Sequence, residues 1–218
     1  MNNAILFLHH GLLGERAARF AAKRFGGVVY PHGPEAGIGE AIERYGVRRV
    51  VLMLSGASSV GVVTPVLTQA LRNAEVTWTA VHFYPTMLRI GPLIRMQGIC
   101  FECASRRYYS MPGSVGLARL EELINSSPEA ASLQFAGTPV SLLAVAAAEA
   151  VRQLRDDEVP GGFIRKIDLI ESQTSSAVAI PLHGCTCSAR VTSSSVAGAR
   201  FYCDIARDIG ELIGADAP

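Results

Sequence analysis

The chemistry-bearing residues of this 218-residue chain are its cysteines. Four of the five fall in two close pairs, Cys100-x-x-Cys103 and Cys185-x-Cys187, each at or just beyond a predicted β segment, over residues 87–95 and 175–182. Two thiolates in a tight turn can converge on one Zn²⁺ at about 2.3 Å, and a second close pair completes the tetrahedron that structural zinc takes. Such a site clips distant segments together, so metal affinity becomes folding free energy. Two other readings stay open. CxxC is also a thiol redox spacing, although that motif is expected at a helix N-terminus rather than after a β-like approach. The four could also be buried thiols that are only neighbours in sequence. Cys203 reads as a small buried hydrophobe on a C-terminal helix, and Cys203 and His183 are further ligand candidates.

The histidines His9, His10, His32 and His82 stand near predicted strand ends, where an imidazole can act as acid or base. No nucleophile motif and no paired carboxylates accompany them, so no catalytic residue is assigned. His9-x-Gly11-x-x-Gly14 lies between a strand and a helix, where a dinucleotide loop would stand. Its first glycine is replaced by histidine, and residues 28–33 (VVYPHG) lack the acidic residue that would hold a ribose. The stretch 55–61 (SGASSVG) lacks the GK[ST] ending of a phosphate loop and reads as a sharp strand-to-helix turn. No cofactor-binding residue is assigned. Arg106-Arg107-Tyr108-Tyr109 reads as a face toward a partner or solvent, with a peptide or phosphate as the alternative contact.

The elements that must position the cysteines follow from the apolar pattern. Short β-rich runs alternate with helical ones through the first two-thirds, the form of a mostly parallel, Rossmann-like α/β sheet with crossover helices. Strands are expected at 4–8, 28–30, 48–54 and 76–83, with helices at 15–25, 38–45 and 63–73 between them. From Pro85 the pattern changes to a β-like stretch broken by Gly91-Pro92, then a crossing segment at 110–137 around one helical piece, 117–124. A long apolar helix follows at 138–155. Its apolar stretch, 140–151, contains Ser141 and Glu149, is shorter than the ~18 residues of a membrane span and reads as buried. Runs at 162–170 and 175–182, joined by a short polar turn, predict an antiparallel hairpin. The expected division is a core of residues 1–187 with the metal site, then a Ser/Thr-rich link and terminal helix over 188–218.

Composition narrows the function classes. With 20 Lys and Arg against 19 Asp and Glu, the chain has no basic excess to hold nucleic acid. No signal peptide or membrane span is legible, which predicts a cytoplasmic location. Hydrophobic residues make up 49% and charged ones 18%. That charged share is below the ~25% usual for soluble domains and predicts apolar surface that meets another protein.

The run at 88–108 (LRIGPLIRMQGICFECASRRY), the Ala-rich helix, the hairpin and the closing HGCTC together resemble the ubiquitin-activating-enzyme-like (ThiF/MoeB-type) superfamily. More closely, they resemble the zinc-bearing, non-adenylating subunits of thiazole/oxazole-modified microcin synthetases, the microcin-type B subunit among them. The resemblance implies that Cys100, Cys103, Cys185 and Cys187 hold a structural Zn²⁺. It implies a scaffold that presents a ribosomal precursor peptide to a YcaO-type ATP-dependent cyclodehydratase, with a flavin-dependent dehydrogenase as a further partner, in an obligate complex or homodimer. The glycine-rich ATP loop of adenylating members is not intact here, so no ATP is assigned. The family's winged-helix leader-binding module has no counterpart ahead of the first strand. A different polypeptide is expected to supply it, unless the chain binds peptide otherwise or only scaffolds its partner. The alternatives are a small adenylating enzyme and a CxxC redox protein.

Overall fold

The computed structural model describes residues 4–31, 37–55, 63–84, 87–96, 98–109, 140–182, 185 and 187. The expected helix at 117–124, the link and helix of 188–218, Cys203, His32 and His183 lie outside them. So do most of the 55–61 turn and the side chains of Tyr108 and Tyr109.

Among the described residues, seven strands form one sheet in the order β2-β1-β3-β4-β5-β6-β7. The first four, β1 (Ile5–His10), β2 (Gly27–Pro31), β3 (Arg49–Ser55) and β4 (Thr77–Phe83), pair in parallel. Their near-continuous apolar runs suit a sheet covered on both faces. The remaining three, β5 (Met87–Ile90), β6 (Phe163–Asp168) and β7 (Thr174–Val178), extend it antiparallel, and β6 with β7 is the expected hairpin.

Helices α1 (Gly11–Phe25) and α5 (Val140–Arg155) cover one face over Phe7, Val51, Val81 and Ile90. Helices α2 (Ile38–Tyr45) and α3 (Pro65–Asn73) cover the other over Leu6, Leu52 and Trp78. The caps explain the boundaries. Thr64 accepts a hydrogen bond from the Leu67 N–H at the start of α3, with Pro65 at the first helical position, and Gly46 ends α2 in the left-handed conformation. Among the described residues no helix is long and apolar enough to cross a membrane.

Helix α1 begins at Gly11, one turn earlier than the pattern of charged and apolar residues predicts. The Ser55 hydroxyl causes this. It donates to the His10 carbonyl at 3.2 Å and accepts from the Gly14 N–H at 3.0 Å, so the first turn is fastened to the ends of β1 and β3. A Cβ on Gly14 would collide with the Met53 carbonyl oxygen in the middle of the sheet. The glycine therefore serves close helix–strand packing, and no loop separates β1 from α1. Gly14→Ala is expected to lower stability by about 2 kcal/mol, a typical overpacking cost, read as a lower denaturant midpoint at unchanged slope.

The β-like stretch at 87–95 divides at Gly91. β5 ends at Ile90, the Gly91-Pro92 peptide is cis, and Ile94 then bridges back to Trp78 of β4. Gly91 has φ +119°, and a Cβ there would meet the Phe163 carbonyl, so this crossing admits only glycine.

Candidate metal centre

The returning chain leads through Ile99 and Cys100 into helix α4 (Phe101–Tyr109). Phe101 fixes its start, with its ring centroid 5.4 Å from that of Trp78 on β4. This corrects one expectation. Cys100 stands immediately before the helix and Cys103 in its first turn, so the CxxC pair opens a helix rather than closing a β segment. The apolar run before it hid the break at Gly91. Helix N-terminal placement is what a redox CxxC uses, so position alone no longer counts against that chemistry.

What distinguishes the site is its second pair. Beyond β7 the chain runs back along α4 and brings Cys185 and Cys187 onto Cys100 and Cys103. All four sulfurs lie within 4.8 Å of one another. Cys100 Sγ is 3.8 Å from Cys185 Sγ, and Cys103 Sγ is 3.5 Å from Cys187 Sγ. A tetrahedron with metal–sulfur bonds of about 2.3 Å has edges of about 3.8 Å, whereas a disulfide needs about 2.05 Å. The cluster therefore has the dimensions of a tetrathiolate cage, and none of the four sulfurs is in a disulfide. These residues fit a soft or borderline cation such as Zn²⁺, which takes four thiolates in a closed structural site.

The cage is asymmetric. Cys103 and Cys187 are buried with Ile99 and Ala104, while Cys100 and Cys185 are half-buried. Burial pushes the Cys103 and Cys187 thiols up from their ordinary range. The backbone N–H of Cys187, helped by the neighbouring thiols, pulls Cys185 down to about 7. Metal binding needs all four as thiolates, so it must displace protons from the two buried sulfurs. A cavity of about 250 Å³ opens beside the half-buried pair, lined by Trp78, Phe101, Arg72 and Ile99 among others.

Backbone N–H groups complete the second layer. Leu182 N–H points to Cys103 Sγ at 3.4 Å, and Cys103 N–H to Cys100 Sγ at 3.5 Å. Arg107, expected on a partner-facing or solvent face, instead grips the segment that delivers the second pair. It donates to the Ile180 carbonyl at 2.6 Å and to the Pro181 carbonyl at 2.9 Å. Sequence reading missed this role, and its only sequence signal is position, one helical turn beyond Cys103. Arg106 points elsewhere and pairs with Glu102 at 2.6 Å on the exposed side. Arg107→Ala is expected to weaken metal binding about tenfold, the usual cost of losing an outer-layer contact, measured by competition with a chromophoric chelator. Arg106→Ala should leave it unchanged.

Among the described residues, His9, His10 and His82 do not join this centre. His82 lies inside the sheet, 1% exposed, and neither ring nitrogen has a hydrogen-bond partner. Burial, and then the charge of Arg89 opposite it on β5, hold its pKa well below 6.5, so it stays neutral. His9 and His10 are half-buried at the end of β1.

No protein-family model and no curated protein matches the chain. Solved structures do. The chain is similar to a chain of the E. coli microcin synthetase McbBCD complex, with a TM-score of 0.55 and 13% identity over 85% of this chain and 68% of that one. It is similar to the same complex with pro-MccB17 bound, with a TM-score of 0.53 and 13% identity over 86% and 70%. It spans 27% of the heterocyclase TruD, covering 84% of its own length, at a TM-score of 0.49 and 10% identity. At these identities the likeness is one of fold: the chain shares the α/β architecture of a microcin synthetase chain.

Proposed function

We propose that this chain is a zinc-clipped, non-catalytic subunit of a complex that forms azoline rings in a ribosomally made peptide. In this reading it presents the precursor to a YcaO-type ATP-dependent cyclodehydratase, with a flavin-dependent dehydrogenase as a further component. The observation that carries the reading is the convergence of a CxxC and a distant CxC into one tetrathiolate cage, on a fold shared with a chain of a microcin synthetase.

The test is reconstitution. The chain, a YcaO-type protein and a Cys/Ser/Thr-rich precursor are co-expressed, and the precursor is weighed by mass spectrometry. Loss of one water per ring only when this chain is present is the expected result. ATP binding or pyrophosphate exchange by the purified chain alone would replace the reading with an adenylating enzyme. A metal-free protein with a reversible Cys100–Cys103 disulfide would replace it with a redox one.

A further inference from the structure

The four cysteines of the cage differ in what can reach them. Cys103 and Cys187 are 1% and 2% exposed and pack with Ile99 and Ala104. Cys100 and Cys185 are half-buried and line the cavity of about 250 Å³ between α3 and the start of α4, beside Thr68, Arg72, Trp78 and Phe101. Neither Cys103 nor Cys187 lines it. A water molecule takes about 30 Å³, so the cavity admits several molecules of that size. Small solutes therefore meet one edge of the cage, and the opposite edge is shielded. The accessible edge is itself a pair. Cys100 Sγ and Cys185 Sγ stand 3.8 Å apart on segments 85 residues distant in sequence, and side-chain rotation can close that gap to the ~2.05 Å of a disulfide. The Cys103 and Cys187 sulfurs are closer, at 3.5 Å, so proximity alone would favour them, and access favours the other pair.

We infer, given the metal cage of the proposed function, that Cys100 and Cys185 are a site of reversible oxidation by small hydroperoxides, which joins them in a disulfide and releases the metal. Thiolates carry this chemistry, and a sulfur that ligates a metal is already deprotonated. One of the two thiolates attacks an oxygen of hydrogen peroxide from the cavity. The S–O bond forms as the O–O bond breaks, and the departing hydroxide takes a proton and leaves as water. The facing thiolate then attacks the sulfenic sulfur, so that the S–S bond forms, the S–O bond breaks and a second hydroxide leaves as water. The two sulfurs lose two electrons in all, and the peroxide gains them. Two thiolates then remain where a closed zinc site needs four ligands, and the ion departs. The disulfide ties residue 100 to residue 185 where the ion had, so the oxidised chain gives up its metal without giving up its fold. A dithiol reductant with zinc reverses the change.

The zinc-loaded full chain, freed of reductant, is treated with hydrogen peroxide in small excess and quenched with catalase. A chromophoric chelator reads the metal released, and fragmentation of the cross-linked peptides by mass spectrometry assigns the pairing. The expected result is metal release in step with a Cys100–Cys185 cross-link, both reversed by dithiothreitol and zinc. The oxidised, metal-free chain should melt above the reduced, chelator-treated one, because a cross-link constrains the unfolded state. Pulsed alkylation of the chelator-treated protein should modify Cys100 and Cys185 about tenfold faster than Cys103 and Cys187. A first cross-link through any other pair, Cys203 included, overturns the inference. So do sulfinic acid without a cross-link, metal and thiols both retained, and alkylation at one rate for all four. Each of these leaves the zinc cage standing, whereas a protein that takes up no zinc fails the cage and this inference with it.

Discussion

Cys103→Ser is expected to abolish tight metal binding and to lower the melting temperature by about 12 °C. Cys103 is 1% exposed and faces Cys187, so a serine there leaves three thiolates and a poor hydroxyl donor in a buried cage. An ion present at about a thousand times its dissociation constant stabilises the folded state by about 4 kcal/mol, and in a domain of this size each kcal/mol is worth about 3 °C. The seven-stranded sheet has its own core, so the variant should remain folded rather than collapse as a zinc-finger peptide does. Chelator treatment of the wild type should reproduce the loss, and zinc should restore it only in the wild type. A full metal complement in Cys103→Ser would contradict the cage.

The sign with pH follows from the thiols. The buried sulfurs favour the protonated form, so acid competes with the metal. Zinc affinity should fall steeply as pH is lowered from 8 to 6, with protons released on binding. Calorimetry in two buffers of different ionisation heat would read that release.

Glu149→Ala should be nearly as damaging, far from the cysteines. Glu149 lies on the buried side of α5, 8% exposed. It accepts two hydrogen bonds from Arg152 at 2.9 Å, one from Gln153 at 3.2 Å and one from Arg165 of β6 at 3.2 Å. Gln153 in turn faces the Thr79 hydroxyl of β4 at 3.2 Å. This network ties α5 across the junction of the parallel and antiparallel parts of the sheet. Removing the carboxylate leaves Arg165 without its ion-pair partner and takes one hydrogen bond from Gln153, and breaking a buried pair costs about 3–5 kcal/mol. The lower end applies, because the Arg152 and Arg165 side chains are 42% and 33% exposed. A melting temperature about 9 °C lower is the expected result.

The carboxylate also sets an acid limb. Burial alone would raise its pKa, but the hydrogen bonds from Arg152 and Gln153 and the charges of Arg165 and Arg152 outweigh that and hold it below 4.5. A depressed folded-state pKa contributes stability that is complete above the unfolded value and lost as pH falls through the folded one. Glu149→Gln should therefore be less stable at pH 7 and show a shallower decline below pH 4.5.

The parallel half of the sheet was legible because residues 50–54 are a continuous apolar run, as a doubly covered strand tolerates, and residues 76–83 are rich in β-formers. The cysteine pairs were legible because close spacing is itself the ligand geometry. What the sequence hid was set by contacts between distant residues. Ser55 starts α1 early from across the sheet. Arg107 reaches carbonyls 73 residues away. Glu149 and Arg152 look like an ordinary surface pair on a helix until β6 closes over them. An acid at 149 and an amide at 153, one turn apart on the buried side of an Ala-rich helix, were the available sign of that network.

The clip has a topological consequence. With an ion held between Cys103 and Cys185, everything from 104 to 184 becomes a closed ring, carrying α5 and the β6–β7 hairpin within it. A protease cut anywhere in that ring would sever the chain without separating the pieces, since the coordination bonds bypass the break. Such a nicked molecule should still migrate as one particle under native conditions, and chelator with denaturant should be needed to part the fragments.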